Sequence, residues 1–167
     1  MNKTLRAMVG SMLLVCMVAS PAAAQAGGLQ CAPFARMFSG IQLFGAAASW
    51  WNQAAAKYMR GSTPAIGSVL VFKAIGSMRS GHVATVTQVV SERVIKITHA
   101  NWSIIGGRRG QVERDVTVVD ASANGDWSSV KVWFAPINKV GNKAYPVNGF
   151  IYKDGAKVAS VKDASQG

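Results

Sequence analysis

The sequence predicts an α+β domain, with helical segments first and an antiparallel sheet after them. Before residue 60 the chain is rich in Ala and spaces its aromatic residues at helical intervals. After residue 67 it changes to short runs of Val, Ile and Thr, separated by turns containing Gly, Ser and Asn. A length of 167 residues, with 50% hydrophobic, suits one core and one domain, and the sequence has no internal repeat.

The N-terminus reads as an export signal. Lys3 and Arg6 precede an apolar run over residues 7–19, and Ala22, Ala23 and Ala24 supply a small-residue cleavage region. Cleavage is expected after Ala24 or Ala26, which makes residues 1–26 a signal peptide. The run is short for a membrane span, so no integral span is expected after cleavage; a retained anchor is the alternative. Val15 before Cys16 is too large for the usual lipid-anchor signal, so Cys16 leaves with the leader. Cys31 then remains as the single cysteine of an exported chain, where pairing is the usual fate of thiols.

The mature domain is expected over residues 27–152. Gly27 and Gly28 give a flexible lead-in, and a first helix is expected over 31–38, interrupted at Ser39-Gly40. A second helix is expected over 45–59, with Arg60-Gly61 as its stop. Its Trp50 and Trp51 are adjacent and cannot share a helix face; core packing is the default for both, with one of them able to line a cleft. Residues 62–67 form a turn-rich connector. Strands follow at 68–73, 81–90, 94–102, 111–119 and 130–134, with a short last strand at 148–152. Residues 153–167 are polar and small, and are expected to fray. Trp127 and Trp133 read as core, and Arg108-Arg109 after Gly106-Gly107 as a solvated hairpin tip.

The net charge is +11, and without Lys3 and Arg6 the basic residues still outnumber the 7 acidic ones by about two to one. Such a protein is drawn to anionic polymers. The basic residues are not interleaved with aromatic ones, so no nucleic-acid partner is expected.

Cys31 opens the first helix, with Pro33 in its first turn. A thiol at a helix N-terminus meets unpaired N–H groups and the positive end of the dipole, which favours the nucleophilic thiolate. The plain alternative is a buried structural cysteine. The chain has only two histidines. His82 follows Gly81 at the start of one expected strand, and His99 and Asn101 end the next. In a hairpin these positions are neighbours, and if the second strand runs through residue 101, His99 and Asn101 share a face. A cysteine nucleophile needs a base, and the base needs an orienting partner. Cys31, His82, and His99 or Asn101 supply those parts. The Cys31 backbone N–H is a donor for an oxyanion, and Gln30 offers a side-chain donor, with a surface role equally open. Trp102 is placed to flank the cleft.

The blocks Gln30-Cys31-Ala32-Pro33-Phe34-Ala35-Arg36, Pro64-Ala65-Ile66-Gly67-Ser68-Val69-Leu70-Val71-Phe72, Gly81-His82-Val83-Ala84 and His99-Ala100-Asn101-Trp102-Ser103 resemble the CHAP domain. These are cysteine, histidine-dependent amidohydrolases and peptidases, papain-like relatives of the NlpC/P60 group. The resemblance covers residues 29–136. It implies a papain-like fold with N-terminal helices packed on an antiparallel sheet, and cleavage of peptidoglycan, either as N-acetylmuramoyl-L-alanine amidase or as endopeptidase. Cys31 resembles the family nucleophile and His82 its base. Many CHAP domains carry Glu-x-Asn-Trp where this chain has His99-Ala100-Asn101-Trp102, whereas NlpC/P60 relatives often use a third histidine. Loss of that carboxylate removes a charge that favours the charged form of His82, with a shifted activity optimum as the expected result.

Some CHAP domains bind calcium through an acidic cluster, but no Asp or Glu lies near Cys31 in the sequence. One Cys and two His leave no fourth zinc ligand of the usual kind, a catalytic three-ligand site being the alternative. No metal or other cofactor is expected. The expected partner is peptidoglycan or another anionic envelope polymer, the expected location is periplasmic or secreted, and a monomer is expected. The rival readings are a non-catalytic envelope-polymer binder and an amidase or acyltransferase acting on another small amide or lipid.

Overall fold

The computed structural model describes residues 28–153. The expected signal peptide lies outside the described residues, as does the expected tail apart from Lys153. Helix α1 spans Cys31–Ser39 and α2 spans Trp50–Ala54, with a 3₁₀ turn at Ala47–Ser49 before it. The strands are β1 Met59–Gly61, β2 Val69–Phe72, β3 His82–Ser91, β4 Val94–Ala100, β5 Val112–Asp120, β6 Ser129–Phe134, β7 Lys139–Val140 and β8 Tyr145–Tyr152. The described residues are α+β, with few of them helical and one antiparallel sheet among them.

Strands β2 to β6 follow each other as a meander. β8 then inserts between β1 and β2 and pairs with β6 as well, which closes β8-β2-β3-β4-β5-β6 into a ring. Closure removes the open edges that β2 and β6 would otherwise present. Inside the ring, Leu70, Phe72, Ala84, Val86, Ile95, Ile97, Val118 and Phe150 form the main core. Burying a Leu, Ile or Phe of this kind contributes about 1.5–3 kcal/mol.

A second core lies outside the ring. Ala32 and Ala35 of α1 and Trp50 of α2 cluster with Val69, Val71, Val83 and Ile151. All four residues of β2 are therefore buried, which explains its unbroken apolar run. Helix α1 ends at Gly40, whose φ of 74° lets its N–H bond the Arg36 carbonyl.

Three sequence expectations need correction here. The expected second helix over 45–59 is only one α-turn long. Gly45 has a φ of 76°, and residues 59–61 leave the helix to pair with Phe150, Ile151 and Tyr152. Arg60 and Gly61 are thus strand, not cap, because ladder hydrogen bonds outweigh the weak helix preference of the preceding alanines. The last strand is longer than expected and central to the sheet. Finally, β4 stops at Ala100, and Asn101 takes a φ of 67°, so it does not continue the strand face of His99. Trp50 is fully buried, and Trp51 is half-buried under the Arg60 guanidinium, 4.8 Å from its ring. Trp127 is core, while Trp133 is half-buried on β6.

Candidate active site

The site forms where α1 meets the ends of β3 and β4. Gln30 is the N-cap of α1, and Cys31 its first residue. The lead-in is pinned from behind. Leu29 N–H bonds the Gly110 carbonyl at 3.0 Å, and a Cβ on Gly28 would lie 2.6 Å from Gly110 Cα. Only glycine permits that approach. Asn101 Nδ2 donates to Gln30 Oε1 at 2.9 Å, which ties the N-cap to the end of β4.

His82 opens β3 and is buried. Gly81 before it has a φ of 67°, and a Cβ there would strike the Ala48 backbone at 2.7 Å. The ring of His82 packs against Phe72 and Trp102, with centroids 5.3 and 4.9 Å away. Its Nε2 lies 3.0 Å from Nδ1 of His99, which is fully buried on β4. Trp102 stacks obliquely on His99 at 5.7 Å and donates its indole N–H to the Trp133 carbonyl at 3.1 Å.

A cavity of about 510 Å³ opens over these groups. Gln30, Cys31, His82, Asn101 and Trp102 all line it, so the structure brings these five sequence candidates together. His99 stands behind His82, and the contact to the His82 ring belongs to His99 rather than to Asn101. Trp51 does not line this cavity. Arg109 does, and it is no free hairpin tip: its guanidinium donates to the Trp102 carbonyl. With Arg79 and Lys143 it gives the lining three cations, and no Asp or Glu side chain joins them.

The electrostatics differ from the sequence expectation for Cys31. Burial raises its thiol above the ordinary value, and this outweighs the lowering by the backbone N–H groups of Val83, Ala32 and Cys31 itself. Desolvation of the charged form beats the helix start. His82 is pushed well below the ordinary imidazole value by burial, then by His99 and Arg109. Burial alone brings His99 down to about 3. The resting pair is therefore a neutral thiol and a neutral imidazole. A neutral thiol becomes a nucleophile only by giving up its proton as the new bond forms. Nε2 of His82 is engaged by His99, which leaves Nδ1 as its free ring nitrogen.

Residues 21–101 match the family model of the CHAP domain. The chain carries a CHAP domain. CHAP domains are generally cysteine, histidine-dependent amidohydrolases or peptidases, so the match supports hydrolase chemistry of that type. No curated protein and no solved structure matched the chain.

Glu113 was not singled out in the sequence. It is a buried carboxylate on β5, opposite His99. The alternating pattern of β5 gave no reason to turn this residue inward. Among the described residues no group of three or more His, Cys, Asp or Glu side chains is arranged to hold a metal, and no helix is long and apolar enough to cross a membrane.

Proposed function

We propose that this CHAP domain is an exported cysteine hydrolase of peptidoglycan amide bonds, working through a thioacyl-enzyme. The observation that carries the reading is that Cys31 and His82 line the same cavity, with Nε2 of His82 held by His99. Cys31 Sγ attacks the amide carbonyl as its proton passes to His82 Nδ1. The Cys31 backbone N–H and the Gln30 side-chain amide are the donors for the developing oxyanion. The imidazolium then returns the proton to the leaving amine, and the C–N bond breaks. Water, deprotonated by His82, attacks the thioester and frees the thiol. His99 orients His82, Asn101 holds Gln30 in place, and Trp102 walls the cleft.

The cationic lining supports a substrate with carboxylates near the scissile bond, as peptidoglycan stem peptides have. The leader of residues 1–26 supports a periplasmic or secreted location. The family class and the cleft favour both an amidase and an endopeptidase action, and product masses separate them.

The test is digestion of purified sacculi with the protein and with Cys31→Ala, followed by mass spectrometry of the released muropeptides. New products from the wild type alone are expected, and their masses name the bond. Sacculus binding by both proteins without products from either would replace the hydrolase reading with that of an envelope-polymer binder.

A further inference from the structure

A buried carboxylate stands behind the two histidines because the β4–β5 ladder is irregular. Ile97 pairs with Val116, and an unbroken antiparallel ladder would set His99 against Arg114. Instead the register shifts between Ile97 and His99, Asp115 adopts a φ of 50°, and Glu113 becomes the partner of His99. The Asp115 N–H bonds Thr98 Oγ1 at 3.2 Å and so secures the bulge. Bulges beside active sites commonly re-aim a side chain, and this one exchanges a cation for a carboxylate.

The carboxylate is held firmly. Glu113 Oε1 accepts the Ser103 N–H at 2.7 Å, and Oε2 accepts the Ser103 hydroxyl at 2.6 Å. That hydroxyl oxygen also accepts the Ala135 N–H at 3.0 Å. So fixed, Oε1 lies 3.8 Å from His99 Nε2. This nitrogen is buried and has no hydrogen-bond partner among the described residues.

We infer that Glu113 is a positioning residue that sets the tautomer of His99, and through it that of His82, so that His82 Nδ1 is bare and able to take the Cys31 proton. A neutral imidazole carries one N–H. The carboxylate beside Nε2 of His99 draws the proton to that nitrogen. His99 Nδ1 is then an acceptor, so His82 must donate from Nε2 across the 3.0 Å contact. The remaining nitrogen of His82, Nδ1, keeps its lone pair. When the Sγ–H proton moves there, His82 becomes an imidazolium whose Nε2–H still points at His99, and the carboxylate behind His99 stabilises that charge. No proton passes to Glu113. An arginine in the same place would oppose the imidazolium. The proposal rests on the reading of Cys31 and His82 as nucleophile and base.

The chain has only two histidines, so both rings are resolvable by long-range ¹H–¹⁵N correlation in the untagged wild-type protein. Both are expected to carry the proton on Nε2 at neutral pH; a proton on Nδ1 of His99 overturns the proposal. The second measurement is the rate of Cys31 alkylation by iodoacetamide, which needs no knowledge of the natural substrate. Glu113→Gln is expected to slow it about 10-fold at pH 7, and to add less than about 2-fold in a His99→Ala background. A wild-type rate in folded Glu113→Gln, or an undiminished loss in the His99→Ala background, overturns the proposal. His82→Ala separates the two readings: an unchanged alkylation rate there removes the nucleophile–base pair itself. Should Glu113→Gln fail to fold, the tautomer measurement on the wild type still decides.

Discussion

Nε2 of His82 and Nδ1 of His99 lie 3.0 Å apart, with both rings shielded from solvent at the start of β3 and near the end of β4. Of the two residues that the sequence offered as an orienting partner of His82, His99 makes the contact, and Asn101 instead bonds Gln30 at 2.9 Å. Replacing His99 by Ala is therefore expected to lower kcat about 100-fold, in the range of a general base set loose, with little change in KM. Asn101→Ala is expected to cost about 10-fold or less, because it frees only the N-cap of α1. Turnover of peptidoglycan by the two variants checks this, and equal losses would contradict it.

The same pair makes the fold acid-sensitive. His99 is held down to about 3 and His82 well below the ordinary imidazole value, in both cases mainly by burial. As pH falls below about 6.5, the unfolded chain binds protons that the folded chain refuses. Stability is therefore full above that pH and is lost on acidification, at up to about 1.4 kcal/mol per pH unit for each histidine. Urea midpoints at pH 7.5 and pH 5 check the sign. A midpoint that holds or rises at pH 5 would mean that the pair accepts a proton inside the fold.

The cationic cleft predicts a binding effect separate from the chemistry. Lys143 lines the cleft, lies 5.1 Å from the Tyr145 ring centroid and donates to Ser77 at 2.9 Å. Lys143→Ala is expected to raise KM about 3-fold with kcat unchanged, and the difference is expected to shrink in high salt. Steady-state kinetics on soluble muropeptides at low and high ionic strength checks both halves.

Gly81 is a tightly packed turn residue directly before His82. Its φ of 67° disfavours any side chain, and a Cβ would press on the backbone of Ala48, whose N–H bonds the Ser80 carbonyl at 2.8 Å. Gly81→Ala is expected to cost about 1–3 kcal/mol and to lower Tm by several degrees. Thermal unfolding measures it. An unchanged Tm would show that the 3₁₀ turn before α2 yields freely.

Much of this architecture is local and was legible in the sequence. Helix α1 follows from Cys31 to Phe38 and the Ser39-Gly40 stop. The strands β2 to β6 follow from β-branched runs between turns, and β2 announced its two-sided burial by being wholly apolar. The neighbourhood of His82 and the end of β4 needed only hairpin topology. The family blocks around Cys31, His82 and Asn101 are likewise short contiguous stretches, and they agree with the CHAP match over residues 21–101.

Other features depend on partners distant in sequence, and only the tertiary structure decided them. Residues 59–61 became strand because β8, some ninety residues later, offers its backbone to them. Ring closure by β8 and the bulge that sets Glu113 rather than Arg114 against His99 are matters of register, and register is settled when whole faces pack. The protonation of Cys31 was decided in the same way. The sequence by itself determined that a thiol stands at a helix start with imidazoles at two strand ends. Burial, which no local pattern of residues measures, determined that the thiol and both imidazoles rest uncharged, because desolvation in the packed site outweighs the pull of a few backbone N–H groups.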